Sequence, residues 1–132
     1  MAAATARAAT RRLRTLNRMD TEQRLRELYD AFNARDVDAV LAAVTDDVDW
    51  PNAWEGGRVH GKAAMRSYWT RQWAEIDPRV EPVEVAERED GRVAVAVEQT
   101  VLDLDGGLIA KKSVRHVYAF RDGLVARMDV EG

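Results

Sequence analysis

Three Asp-Gly steps, Asp90-Gly91, Asp105-Gly106 and Asp122-Gly123, divide the second half of this chain into four runs of strand-forming residues. Glycine adopts positive φ without a Cβ clash and aspartate tolerates it, so Asp-Gly suits the tight turns that join antiparallel neighbours. The spacing predicts strands near 80–89, 92–104, 108–121 and 124–130, connected as a meander.

The first half reads as helical. Asp20 and Gln23 have capping-box spacing, and Leu25, Leu28, Tyr29 and Phe32 follow at i, i+3, i+4 and i+7. Asp36 can cap a short second helix with Val37, Val40, Leu41 and Val44 on its apolar face. Val48-Asp49-Trp50-Pro51 is an edge strand or its end, because proline cannot donate to a ladder. Gly56-Gly57 makes a turn, and Arg58-Val59-His60 is a second short strand. A third helix is expected from about Lys62 to Ile76, with Met65, Tyr68, Trp69, Gln72, Trp73 and Ile76 on one face. Helix, helix, short strands, helix and four strands is an α+β order: three helices packed on a curved, mainly antiparallel sheet.

At 132 residues the chain holds one domain. Having no cysteine, it has no disulfide, thiol nucleophile or thiolate-bound metal, and packing alone must hold the fold. No apolar run reaches membrane-spanning length. Residues 1–18 contain five arginines and no acid, which leaves 15 basic against 23 acidic residues in the remainder. So acidic a domain is a poor partner for nucleic acid, since phosphate contact needs a cationic face. Residues 1–19 are expected to be a disordered basic tail, with Met19 as the true start, and 20–132 the folded domain, in the cytoplasm.

The middle strands are apolar on both faces. Val93, Val95, Val97 and Val101 alternate with Ala94, Ala96, Glu98, Thr100 and Leu102. Three short helices cover one side of such a sheet, which would leave the valines in water. The expectation is a homodimer through that face; a sheet curled enough to hide them is the alternative.

Several strings resemble the SnoaL-like and ketosteroid isomerase-like families of the nuclear transport factor two-like superfamily. They are residues 28–36 (Leu-Tyr-Asp-Ala-Phe-Asn-Ala-Arg-Asp), 46–50 (Asp-Asp-Val-Asp-Trp), Gly61 at the start of the third helix, and 116–123 (His-Val-Tyr-Ala-Phe-Arg-Asp-Gly). The resemblance spans about residues 20–130. It implies a cone-shaped α+β barrel with a pocket between helices and concave sheet. Members include isomerases, polyketide cyclases, epoxide hydrolases, dehydratases and proteins without known chemistry, so the fold alone leaves activity open.

Two residues are the catalytic candidates. His116 falls in strand phase with Val114, Tyr118 and Phe120 and, by the resemblance, where ketosteroid isomerases carry a protonated aspartate in their oxyanion hole. It is either a donor to a substrate carbonyl or a buried histidine satisfied by a neighbour. By the resemblance Asp129 matches the last-strand carboxylate of limonene epoxide hydrolase-like enzymes, yet it is out of phase with Leu124, Ala126, Met128 and Val130. It is either a pocket acid or a solvated surface acid.

Trp50 and Asn52 occupy the places of a tyrosine and an asparagine that hold water in those hydrolases. Their arginine and second aspartate fall at Glu98 and Thr100. The isomerase base falls at Trp50, and the isomerase oxyanion tyrosine at Leu28, one residue from Tyr29. Neither catalytic set is complete. Trp54, Trp69, Tyr118, Tyr29, Glu98 and Thr100 are further expected ligand contacts, with Trp50 and Trp54 at the pocket mouth and Asn52 and Glu98 orienting substrate or water; alternatively Glu98 pairs with His116 or faces water. With two distant histidines, no metal and no cofactor are expected. The expected function is cofactor-free acid/base chemistry (isomerase, cyclase, dehydratase or hydrolase) on a small apolar cyclic carbonyl compound. The alternative is a non-catalytic binding or dimerisation module of the same fold.

Overall fold

The structure, a computed structural model, describes residues 20–131. The basic segment 1–19 lies outside the described residues. The elements are α1 (20–33), α2 (Val37–Ala42), β1 (Val44–Pro51), β2 (Arg58–His60), α3 (Lys62–Glu75), β3 (Asp77–Glu87), β4 (Val93–Leu102), β5 (Leu108–Arg121) and β6 (Leu124–Glu131). The six strands form one sheet in the order β2-β1-β6-β5-β4-β3, antiparallel except where β1 runs parallel to β6. The α+β architecture is as expected. Among the described residues no helix is long and apolar enough to cross a membrane.

The helix signals act with two exceptions. Leu25, Leu28 and Tyr29 bury one side of α1, and the Asp36 side chain accepts from the Ala39 amide to cap α2. Asp20 does not cap: it is already helical and pairs with Arg24 one turn on. Val44 is not helical either but opens β1, which is longer than the segment expected from Val48. Gly61, at φ +86, turns the chain from β2 into α3 while its amide donates to the Val48 carbonyl. A side chain there would force an unfavourable backbone.

The three Asp-Gly steps all sit in hairpin turns of two kinds. At Asp122-Gly123 both residues have positive φ and join directly paired Arg121 and Leu124, a two-residue turn. At Asp90-Gly91 and Asp105-Gly106 only the glycine is left-handed, closing three-residue loops. Pro78 and Pro82 lie on β3, an edge strand, where a missing donor costs least. Register shifts in β3–β4, β4–β5 and β5–β6 mark bulges that bend the sheet.

That bend decides which face is inside, and it reverses one expectation. The valines are not in water: Val95 is 0% exposed and Val97 1% exposed, and both join the core under the helices. The outer face carries Ala94, Ala96, Glu98 and Thr100 instead. The reason given for a dimer, an exposed valine patch, is therefore absent. Val95→Ala is expected to cost about 2 kcal/mol, as methyl deletion at a sealed core site does. Thr100→Ala on the outer face should stay within about 0.5 kcal/mol. Urea titration of the two variants checks the assignment of faces.

Candidate functional site

A hollow of about 320 Å³ lies between the helices and the concave face of the sheet. Tyr29 and Phe32 of α1 and Tyr68, Trp69 and Gln72 of α3 form its roof. Trp50 and Trp54 close one side from the end of β1 and the loop after it. The floor is the inward row of β5 with Met128 and Val130 of β6. The rings pack edge to face: Trp50 on Trp69 at 5.7 Å and Phe32 on Trp69 at 5.6 Å between centroids. The loop bearing Trp54 is fixed by Asn52, which bonds both the amide and the carboxylate of Glu55, and by the Glu55–Arg71 ion pair to α3.

Three polar groups line the inner end. The Tyr118 hydroxyl donates to the Tyr29 oxygen at 2.7 Å, and the Tyr29 hydroxyl lies 2.9 Å from His116 Nδ1. One assignment gives each of the three protons a place: Tyr29 accepts from Tyr118 and donates to His116 Nδ1, which puts the imidazole hydrogen on Nε2. Nε2 has no protein partner among the described residues and is left to the hollow. Burial pushes the His116 pKa down to about 4, so the ring is neutral at pH 7. Burial likewise pushes both phenols above their ordinary values. The inner end is thus a neutral N–H donor in an apolar chamber.

Of the residues singled out in the sequence, His116, Tyr29, Tyr118, Trp50, Trp54 and Trp69 converge here. Four do not. Asp129 lies on the opposite face of β6: His116 registers with Val130, while Asp129 registers with outward-facing Val117. It pairs with Arg58 at 3.1 Å and Arg127 at 2.9 Å, and the Arg127 hydrogen bond is the main reason its pKa is lowered. The expected phase of β6 holds at Met128 and Val130 and breaks before them, where the bulge at Ala119/Phe120 puts Val125 rather than Leu124 in the core. Glu98 is on the outer face too, accepting from the Ser113 hydroxyl at 2.7 Å and not touching His116. Thr100 shares that face. Asn52 is buried but committed to its loop.

The sequence reading missed Tyr68, Gln72, Gln99 and Lys112 as lining residues. Gln72 donates to the Tyr68 hydroxyl at 3.3 Å. The signal for Lys112 was present, because it shares the alternation of Val114, His116 and Tyr118. Among the described residues no Asp or Glu lines the hollow, and no cluster of three His, Asp or Glu could hold a metal ion.

Residues 25–128 match the family model of the SnoaL-like domain. No curated protein matches the chain. A nuclear transport factor two-like protein of unknown function from Burkholderia pseudomallei is 28% identical, with 85% of this chain and 89% of that one covered at a TM-score of 0.73. TerC, co-crystallised with polyporic acid, is 25% identical over 84% and 89% at 0.73. A candidate polyketide cyclase of Xanthomonas campestris, 24% identical over 86% and 90% at 0.75, shares the fold.

Neutral His116 has a signature in stability. Its folded pKa lies below the usual 6.5, so the unfolded chain takes up the proton first. The stability of this neutral state is complete above about pH 6.5 and is lost as pH falls through about 4. Integrated over that window the loss is on the order of 3 kcal/mol. Urea melts at pH 7 and pH 4.5 should show a smaller drop for His116→Gln than for the unsubstituted chain, and an equal drop would contradict the assignment.

Proposed function

We propose, from the premise that the chain belongs to the SnoaL-like family, that its hollow binds a small, largely apolar ring compound and that His116 polarises a carbonyl group on it. The single observation carrying this is the Tyr118–Tyr29–His116 chain, which presents Nε2–H to an apolar space. A hydrogen bond there strengthens as negative charge grows on the carbonyl oxygen, because the surrounding walls are largely apolar and the donor is already oriented. Loss of an α-proton to water, giving an enol or enolate, is the step this supports. It is common to isomerisation, cyclisation and dehydration. The low pKa makes His116 a better neutral donor than base. TerC with its polyporic acid and the cyclase-like Xanthomonas protein are consistent with ring-bearing ligands in this fold.

A second reading is a binding module without turnover. The lack of a carboxylate in the lining favours it, since Asp129, the expected second catalytic group, is on the outer face. One probe separates the two. With 1-tetralone bound, the carbonyl stretch should fall below its value in apolar solvent, and His116→Phe should abolish the shift while retaining binding. If the protein also accelerates deuterium exchange at the tetralone α-carbon, and His116→Phe does not, the enzymatic reading stands. A shift without exchange leaves the module. No shift in the unsubstituted chain defeats both roles for His116. Asp129→Asn should change neither shift nor exchange.

A further inference from the structure

The inward row of β5 reads Ala110, Lys112, Val114, His116 and Tyr118 from mouth to inner end. Lys112 is the one cation among the described lining residues. It is exposed at the mouth and has no acidic partner among the described residues. Gln99, directly opposite on β4, lines the same place with an amide. The chain carries 23 acidic residues and a net charge of −3, yet none of those acids lines the hollow. Several of its acids pair with arginines outside the hollow, as at Arg58–Asp129 and Arg88–Glu131. An acidic protein with an acid-free chamber and one unpaired ammonium at the opening has a field that selects ligand charge.

We infer that the ligand is an anion: an apolar ring body carrying an acidic group that rests at the mouth against Lys112 and Gln99. This rests on the reading of the hollow as a ligand site and adds the ligand's charge and orientation. Lys112 and His116 lie four strand steps apart, roughly 13 Å. That span fits a two- or three-ring body with its acid at one end and its carbonyl at the other. Ile109 and Val130, 56% and 42% exposed, carry apolar contact to the rim beside the ammonium. A cationic or neutral analogue loses the charge-assisted hydrogen bond at the mouth, and a cation also meets Lys112 as a like charge.

Two dyes share one ring system and differ by an anionic group: 8-anilino-1-naphthalenesulfonate and uncharged N-phenyl-1-naphthylamine. Fluorescence titration of the full chain should give about tenfold tighter binding of the sulfonate, the size of one charge-assisted hydrogen bond. Lys112→Met keeps the apolar stem, and Lys112→Arg keeps the charge. The first should weaken the sulfonate about tenfold and leave the neutral dye within about twofold, while the second should retain the preference. Equal affinities in the unsubstituted chain, or a Lys112→Met variant that weakens both dyes alike or neither, would overturn the inference and leave the hollow standing. Failure of both dyes to bind the unsubstituted chain would remove the ligand site itself, and the inference with it.

Discussion

Two phenols and an imidazole satisfy one another across the gap between α1 and β5, and the architecture of the hollow follows from that bond chain. Each of the three is buried, and an unpaired buried polar group costs about 1–3 kcal/mol. Tyr29 can meet His116 and Tyr118 together only if α1 sits at one height and one rotation over the sheet. Its neighbours Leu25 and Leu28 then fall into the core, and Phe32 onto Trp69. The same bonds leave one imidazole hydrogen unspent. A packing requirement and a chemical capacity therefore have one origin.

The sheet supplies the second constraint, through alternation. Side chains switch face at every residue, so a bulge sets which residues of a strand look inward. In β6 this turns Met128 and Val130 to the hollow and Arg127, Asp129 and Glu131 to the outside. There Asp129 pairs with Arg58 and Arg127, and Glu131 with Arg88 and Arg115. Surface ion pairs add little stability singly, but here they clothe the convex face and keep carboxylates away from the chamber.

Turn chemistry and strand phase were legible in the residues. The Asp-Gly steps located three hairpins because each needs a left-handed backbone that few other residues accept. His116, Tyr118 and Tyr29 were legible because strand and helix periodicity put them on inward faces. The errors share one cause: a local pattern cannot say which face a curved sheet turns inward. The valines looked like an external patch and Glu98 like a pocket acid because the direction of curl depends on bulges and on where α1 docks. Asn52 looked like a ligand contact because a loop-building amide and a ligand-binding amide have the same letter. Lys112 was overlooked because a strand lysine ordinarily faces water.

The central claim is that His116 is a neutral imidazole with its hydrogen on Nε2. Two-bond ¹H–¹⁵N correlation of the ring nitrogens in the folded full chain tests it, with exposed His60 giving the second set of signals. The expected ring has an unprotonated, hydrogen-bonded Nδ1 and a protonated Nε2, persisting from neutral pH down to about 4. An Nδ1–H tautomer, or a ring that is already imidazolium at pH 6, would contradict it.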